Sequence, residues 1–252
     1  MEWLLDKIRL QPGSEVVELG CGHQGSLDLL ADRVGPTGHV IGVERLALAV
    51  AQARRLVLDR GLVNVEIIHA DARHTKLPRE TFDLVTARMV LLTGPRPEEI
   101  IAAAFALARP GGVIAFHEAD FVSHVCDPPL WAWTRLIDVL EQYGRLTGMD
   151  LHMARRLPRL LRDAGVVDVQ TNPRIFIYPP GHGQRTGLLE FVTKMSHRIL
   201  AERIIEPEEL ADLKRALAQH VADPETMIVS HLFLQAWGQK PQTVPLKRSA
   251  EA

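Results

Sequence analysis

The sequence predicts an α/β fold built on a mostly parallel seven-stranded sheet, and three patterns support this prediction. Short apolar runs alternate with helical patterns through the first half of the 252-residue chain, as in repeated β-α-β units. A glycine-rich loop joins the first strand to the first of these helices. Two further strand-like runs, 166–178 and 226–238, are separated by helices, which is typical of a last strand inserted antiparallel beside a sixth.

The elements of the first half follow from apolar periodicity and helix boundaries. One short helix precedes the first strand, which begins by about residue 16. The predicted strands are EVVEL, HVIGVE, VEIIHA, FDLVTAR and VIAFHE. The helices between them are SLDLLADRV, LALAVAQARRLVLDRG ending at Gly61, and PEEIIAAAFALARPGG stopping at Pro110-Gly111-Gly112. Ligands of such sheets bind at the carboxyl ends of the strands, near the first one.

The second half adds helical segments at 129–147, 152–164, about 187–204 and 207–221, and Pro128 and Pro129 are interpreted as the start of the first. Core packing is the simplest interpretation of their large apolar residues, although together the helices are expected to cover the strand ends and to shape a pocket. These residues are Trp131, Trp133, Leu188, Leu189, Phe191 and Met195. We expect one domain over 1–240, with a ligand-binding core at about 14–122, cover insertions at about 123–150 and 181–222, and a flexible tail over 241–252.

Composition limits the classes of partner. The chain is 46% hydrophobic and 24% charged, which is ordinary for a globular protein with a real core. Its formal charge is −2 and no basic run exceeds two or three residues, which argues against a nucleic-acid partner. No apolar run reaches the roughly 18 residues that span a bilayer. The start of the chain has no signal-peptide core, and its two cysteines favour a reducing cytoplasm. A homodimer remains open.

The loop VVELGCGHQG contains Gly20-x-Gly22-x-x-Gly25, which fits two kinds of nucleotide-like ligand. Its glycines permit a tight turn and a close approach to either a dinucleotide or S-adenosylmethionine (SAM). Glu44, which ends the second strand, can bind a ribose diol in both cases. Glu18 separates them, because a carboxylate in this place repels phosphates but attracts the ammonium and sulfonium of SAM. Asp71, which ends the third strand, can accept a hydrogen bond from the adenine amine.

With these residues in place, the sequence resembles the class I SAM-dependent methyltransferases of the small-molecule group. It is similar to the methyltransferases of ubiquinone and menaquinone biosynthesis. The matching segments are VVELGCGHQG, VIGVE, HADARHTKLP, FDLVTARMVLL and LARPGGVIAFHE, and SHLFLQAWGQKP resembles the last strand of that group. The resemblance implies a Rossmann-like methyltransferase sheet whose last strand is antiparallel, SAM as cofactor, and a small, partly apolar molecule methylated on oxygen, nitrogen or carbon.

The resemblance also assigns cofactor-binding residues. Glu18 and the loop backbone (Gly20, Cys21 and Gly22, with Gly25 behind them) would hold the methionine end of SAM. Glu44 with Arg45 would bind the ribose, and Asp71 with Ala72 the adenine. Arg88 and Met89 match the position that contacts the SAM ammonium through its backbone. Two departures stand out: the chain ahead of the first strand is short, and the segment after VLL, beyond the fourth strand, commonly has a histidine in the family whereas this chain reads LLTGPRP.

The methyl acceptor leaves fewer traces. His117 and His124 lie near the end of the fifth strand and are the candidate bases, although each is equally well interpreted as a structural histidine. With Glu118 and Asp120 they offer metal-ligand chemistry, but their spacing matches no metal motif, and no metal is expected. CDPPL lacks the aromatic residue of the amino-methyltransferase signature that it resembles. The alternatives are a SAM-binding protein that does not methylate and, less favoured, an NAD(P)-dependent oxidoreductase.

Overall fold

The computed structural model describes residues 1–23 and 25–242, which form helices on both sides of a central sheet. The helices are α1 (Glu2–Ile8), α2 (Leu27–Val34), α3 (Ala47–Asp59), α4 (Pro97–Leu107), α5 (Trp131–Thr147), α6 (Met153–Asp163), α7 (Gly187–Ala201) and α8 (Pro207–Ala222). The strands are β1 (Glu15–Leu19), β2 (His39–Glu44), β3 (Val65–His69), β4 (Phe82–Arg88), β5 (Ala108–Asp120), β6 (Val125–Asp127), β7 (Val167–Arg174), β8 (Ile177–Tyr178), β9 (Met227–Val229) and β10 (Leu232–Gln239).

The described residues form a main sheet of seven strands in the order β3-β2-β1-β4-β5-β10-β7. Strands β1 to β5 pair in parallel, whereas β10 is antiparallel to both β5 and β7. The order reverses at β1, because β2 lies on one side of it and β4 on the other. The predicted fold, with its inserted antiparallel last strand, is therefore confirmed. The glycine loop directly follows β1, the strand at which the order reverses.

Each face of the main sheet has its own apolar core. Val16, Leu84 and Trp237 point to the face that α1, α2 and α3 cover. Val17, Val85 and Phe116 point to the opposite face, which α4 and α6 cover together with α5, α7 and α8. Because neighbouring residues of a strand point to opposite faces, each buried strand supplies apolar side chains to both cores. This arrangement explains why the strands read as continuous apolar runs in the sequence.

Several predicted element boundaries were wrong. The helix expected to stop at Pro110 ends at Leu107, and β5 begins at Ala108. Proline disfavours helical backbone in the residue before it, and Ala108 pairs with Phe82 across the sheet. The run 166–178 is not one strand, because β7 pairs with β10 whereas β8 pairs with β9 in a separate sheet.

The final run divides in the same way, into β9 and β10, and the unpredicted strand β6 completes a small sheet in the order β6-β9-β8. Ser230, between β9 and β10, pairs with Phe176, between β7 and β8: the Ser230 N–H donates to the Phe176 carbonyl (2.8 Å), and the Ser230 hydroxyl accepts the Phe176 N–H (2.9 Å). The chain therefore changes sheets at the same level in both runs. The first helix after Pro128 also starts later than expected, at Trp131.

The cover consists of α5, α7 and α8 packed on one another beside the small sheet. Its segments are joined by Arg185, whose buried guanidinium donates to four backbone carbonyls, those of Tyr178, Val221, Asp223 and Thr226. Within the described ranges, no helix is long and apolar enough to cross a membrane. Most of the tail expected to be flexible, residues 243–252, lies outside the described residues.

Candidate functional site

The glycine loop is held against β2 by its own backbone. The Gly20 and Cys21 N–H groups both donate to the Val43 carbonyl, at 2.7 and 3.0 Å. Gly20 has a φ of +67°, and a Cβ added there would lie 2.6 Å from a methyl carbon of Val90. A side chain at this position would therefore need both left-handed backbone and space that Val90 occupies.

Glu44 ties the end of β2 to this loop. One carboxylate oxygen accepts the Gly22 N–H at 3.1 Å, and the other accepts the N–H groups of Arg45 and Leu46, both at 2.8 Å. The carboxylate is 8% exposed, so it is fixed at the surface of the groove rather than enclosed in the core. Carboxylate lone pairs outnumber these donors, which leaves acceptor capacity for ligand hydroxyls.

Glu18 lies deeper, beneath the loop. Both of its oxygens are 3.0 Å from the Ser26 N–H, and Arg88 contributes a positive charge nearby. Burial raises the pKa of Glu18 to about 7, against the opposing effects of that hydrogen bond and of Arg88. The space beside it, about 220 Å³, is lined by Gly20, Gly22, Gly25 and Arg88. A positively charged ligand group in that space would favour the ionised form of Glu18.

Cys21 and Gly25 serve this loop through packing. The Cys21 side chain is buried, and a Cβ on Gly42 would lie 2.8 Å from its sulfur. Burial raises the pKa of the Cys21 thiol to about 12, so the group is a neutral packing element and only its backbone faces the loop. A Cβ on Gly25 would lie 2.3 Å from the Cys21 carbonyl oxygen, which explains the third glycine of the pattern.

A second space of about 400 Å³ lies over the ends of β2 and β3, and its lining includes Glu44, Arg45, Asp71 and Ala72. Arg73 pairs with Asp71 through two nitrogens, at 2.9 and 2.8 Å, and holds the pKa of that carboxyl well below its usual range. The cover also reaches this space, because Met149 and Arg198 are part of its lining.

The segment after β4, Met89 to Leu91, is held by hydrogen bonds to residues of β5. Met89 has left-handed backbone, with a φ of +57°, and its N–H donates to the His117 carbonyl at 2.8 Å. The buried carboxylate of Glu118 accepts the N–H groups of Val90 and Leu91, at 2.9 and 2.8 Å. These bonds hold an uncommon backbone conformation in which Met89 lines the second space.

A larger cleft of about 970 Å³ opens on the α1 side of the main sheet. Its floor follows the strand register: Arg88 lies opposite His117, which lies opposite Gln235 on β10. In the next row Phe233 lies opposite Arg174 on β7. Residues directly opposite each other in a sheet share a face, so four strands contribute side chains to one surface.

The polar residues near the end of β5 do not form one cluster. His117 lines the cleft, whereas Glu118 and Asp120 serve the other face, where Asp120 accepts hydrogen bonds from Arg155. Both ring nitrogens of His124 have partners: Nδ1 lies 2.8 Å from the Phe121 carbonyl, and Nε2 lies 3.0 Å from His231. Across residues 1–23 and 25–242, no group of three histidine, cysteine or acidic side chains is arranged to hold a metal ion.

A family model described as a methyltransferase domain matches residues 10–165, which is more than half of the chain. The chain belongs to the methyltransferase family. The predicted membership of the class I SAM-dependent methyltransferases is thereby confirmed, and with it the predicted cofactor SAM.

One curated relative is a methyltransferase of known name. A demethylmenaquinone methyltransferase from Listeria monocytogenes is 31% identical over 136 residues, which are 54% of this chain and 55% of that protein. The chain spans about half the length of the first curated relatives that it matches.

Solved structures show the same fold at low identity. A candidate methyltransferase from Bacillus halodurans superposes with a TM-score of 0.64 at 16% identity, covering 95% of this chain and 98% of the other. Phosphoethanolamine N-methyltransferase 2 from Haemonchus contortus, in a complex with phosphomonomethylethanolamine and S-adenosylhomocysteine, gives 0.60 at 16% identity, covering 96% and 52%.

The residues present fit the cofactor of this methyltransferase domain. Two carboxylates, Glu44 and Asp71, border the larger of the two spaces, where an adenosine would meet them. Glu18 is a buried acid beside the glycine loop, and an ammonium group in that space would favour its ionised form. Gly20 lines both spaces, so the two adjoin at the loop.

The sequence reasoning missed most of the cleft. Its walls include Trp3, Arg174, Phe176, Tyr178, His182 and Phe233. The one signal in the sequence was the alternation of Phe233, Gln235 and Trp237 along β10, in step with His231 just before it, which indicated that one face carries polar and aromatic groups. The six large apolar residues of the predicted cover are absent from the cleft lining, and five of them are buried: Trp133, Leu188 and Met195 fully, and Leu189 and Phe191 partly.

Proposed function

We propose that this protein transfers the methyl group of SAM to an oxygen, nitrogen or carbon of a small, partly apolar molecule bound in the cleft. The observation that carries the proposal is that the spaces of the site adjoin one another through shared lining residues. Gly20 borders both spaces of the cofactor groove, and Arg88 borders both the Glu18 space and the cleft. A cofactor in the groove and an acceptor in the cleft would therefore meet beside Arg88.

The assigned residues divide the work of holding the cofactor. Glu44 with Arg45 takes the ribose, Asp71 with Ala72 the adenine, and Glu18 with the loop backbone of Gly20, Cys21 and Gly22 the methionine end. When bound, SAM supplies a methyl group on a positively charged sulfur, and the neutral thioether of S-adenosylhomocysteine is a good leaving group. The chain then contributes mainly by orienting the acceptor and by excluding water.

His117 is the histidine that we place next to the acceptor. Its ring lines the cleft, and its Nδ1 has no hydrogen-bond partner among the described residues. Burial, to which the positive charges of the N-terminal amino group and of Arg88 add, lowers the pKa of His117 to about 4, so its ring is neutral at pH 7. A neutral ring with so low a pKa orients the acceptor as a hydrogen-bond partner and removes protons only from acidic acceptors. His124, whose nitrogens already have partners, is the second choice.

Thermal unfolding with and without ligands tests the cofactor assignment. We expect S-adenosylhomocysteine at about 100 times its Kd to stabilise the protein by roughly 3 kcal/mol, and NAD to have no effect. Stabilisation by NAD alone would contradict the proposal and support the oxidoreductase alternative.

Methyl transfer from radiolabelled SAM to a panel of small aromatic and amine acceptors tests the reaction. For an acceptor that is turned over, His117→Gln should lower kcat/KM at least about tenfold without changing stabilisation by S-adenosylhomocysteine. The control His197→Gln removes an exposed histidine of α7 and should change neither. Cofactor binding with no turnover of any acceptor would support the alternative of a SAM-binding protein that does not methylate.

A further inference from the structure

We propose that the acceptor is a planar aromatic compound carrying an anionic group, with its ring against Phe176 and Phe233 and its anion on Arg174. This inference names the substrate class of the proposed methyltransferase and rests on that function. It depends on the distribution of charge and of aromatic rings in the cleft, neither of which the cofactor groove requires.

The charge on the cleft floor is positive. Arg174, at the end of β7, lies opposite Phe233 and lines the cleft. Among residues 1–23 and 25–242, no carboxylate lies within 4 Å of its guanidinium, which instead lies over the Trp3 ring, 5.7 Å from the ring centroid. Arg88 lies on the same face of the sheet and contributes to the low pKa of His117, as expected where the local field is positive.

The same side of the cleft carries a row of aromatic rings. Phe176 and Tyr178 are nearly parallel, with ring planes 12° apart, and Tyr178 is parallel to His182 within the same angle. Phe233 meets Phe176 edge-on and His117 edge-on, at centroid distances of 6.3 and 5.6 Å. Phe176 is 46% exposed, so a broad ring face is open to the cleft. A planar aromatic ligand gains most from such a surface.

Acidic residues lie only on the opposite wall, which α1 and α2 supply. Asp28 forms an ion pair with Arg60. Glu2 and Asp32 are the remaining acids of the cleft lining. Neither acid lies on β7 or β10, where Arg174 is directly opposite Phe233, so an anion on Arg174 would lie beside that ring. The position of the rings therefore favours the anion.

Three naphthalene compounds of nearly the same shape separate the possibilities: naphthoate is negative, naphthamide is neutral and naphthylmethylamine is positive. Their affinities are measured by calorimetry with the full chain saturated with S-adenosylhomocysteine. We expect naphthoate to bind at least about tenfold more tightly than naphthamide, with naphthylmethylamine the weakest. Arg174→Gln should reduce the preference for naphthoate to less than about threefold, and Phe176→Leu should weaken all three compounds by a similar factor.

The control Arg159→Gln removes an exposed positive charge from α6, away from the cleft, and should preserve the wild-type preference. Equal or tighter binding of naphthamide or naphthylmethylamine to the wild type would overturn the inference, as would an unchanged preference in Arg174→Gln. If none of the three compounds binds but S-adenosylhomocysteine still stabilises the protein, the substrate class is wrong and the proposed cofactor site stands. Loss of that stabilisation would instead refute the proposed function.

Discussion

Gly20→Ala is the substitution that separates cofactor binding from general stability. Gly20 has left-handed backbone and borders both halves of the cofactor groove. A Cβ there would lie 2.6 Å from a Val90 methyl carbon, and Val90 is held by the hydrogen bond from its N–H to Glu118. The substitution therefore moves either the glycine loop or the segment after β4, and both line the groove.

The size of the effect can be estimated from two contributions. Left-handed backbone costs a residue with a Cβ roughly 1–2 kcal/mol, and overpacking typically costs about 1–3 kcal/mol. Gly61→Ala is the matched control, because Gly61 has a φ of +63° and nothing lies within 4 Å of a Cβ added there. Gly61→Ala should therefore carry only the backbone cost, and Gly20→Ala should lose about twice as much free energy of unfolding.

Thermal unfolding measures both quantities in one experiment. For a chain of this size, 1 kcal/mol corresponds to roughly 2–4 °C in Tm. The wild type and Gly61→Ala should both gain about 5–10 °C with S-adenosylhomocysteine at 100 times the wild-type Kd, whereas Gly20→Ala should gain nothing. A gain of the wild-type size in Gly20→Ala would refute the placement of the cofactor, and so would its loss in Gly61→Ala.

Three other predictions follow from buried charges. Glu44→Gln should weaken the binding of S-adenosylhomocysteine roughly 10- to 100-fold as measured by calorimetry, since hydrogen bonds to a charged group are worth about 1.5–3 kcal/mol. The control Glu66→Gln, at an exposed position, should leave the affinity unchanged. The pKa of Glu18 is raised to about 7, and the ammonium group of a bound ligand would lower it. Binding of S-adenosylhomocysteine near pH 6.5 should therefore release protons, which are counted from the binding enthalpy in buffers of different ionisation enthalpy. Release that persists in Glu18→Gln would show that another group is responsible. Arg185→Met leaves four carbonyls without their donor and should lower Tm by at least about 6 °C, whereas Arg215→Met, at an exposed pair with Asp212, should change it by less than about 2 °C.

The cofactor half of the molecule was readable from the sequence because its signals are local. A strand, three glycines and a carboxylate at fixed spacing define the loop from Glu18 to Gly25. Glu44 is the last residue of β2, and Asp71 lies just beyond the end of β3. Parallel strands bring their carboxyl ends to one edge, so these separate signals converge without further information. The predicted strands β1 to β4 consequently agree with the structure within about one residue.

The cleft was not readable because its residues meet only through long-range pairing. Arg88, His117, Gln235 and Arg174 come from four strands, and a shift of one residue in the register of β10 would turn Phe233 away from the cleft. The same kind of reasoning explains why the polar residues at the end of β5 do not form the cluster that their sequence spacing suggests. His117 and Glu118 are adjacent in sequence, but alternation along a strand sends them to opposite faces.

The central claim is that one continuous groove joins a SAM site to the acceptor cleft at Arg88. A crystal structure with S-adenosylhomocysteine tests it most directly. We expect the adenosine between Glu44 and Asp71, the amino group of the ligand beside Glu18, and the sulfur facing the cleft next to Arg88 and His117. An adenosine bound outside the Glu44–Asp71 space, or a sulfur closed off from the cleft, would contradict the account.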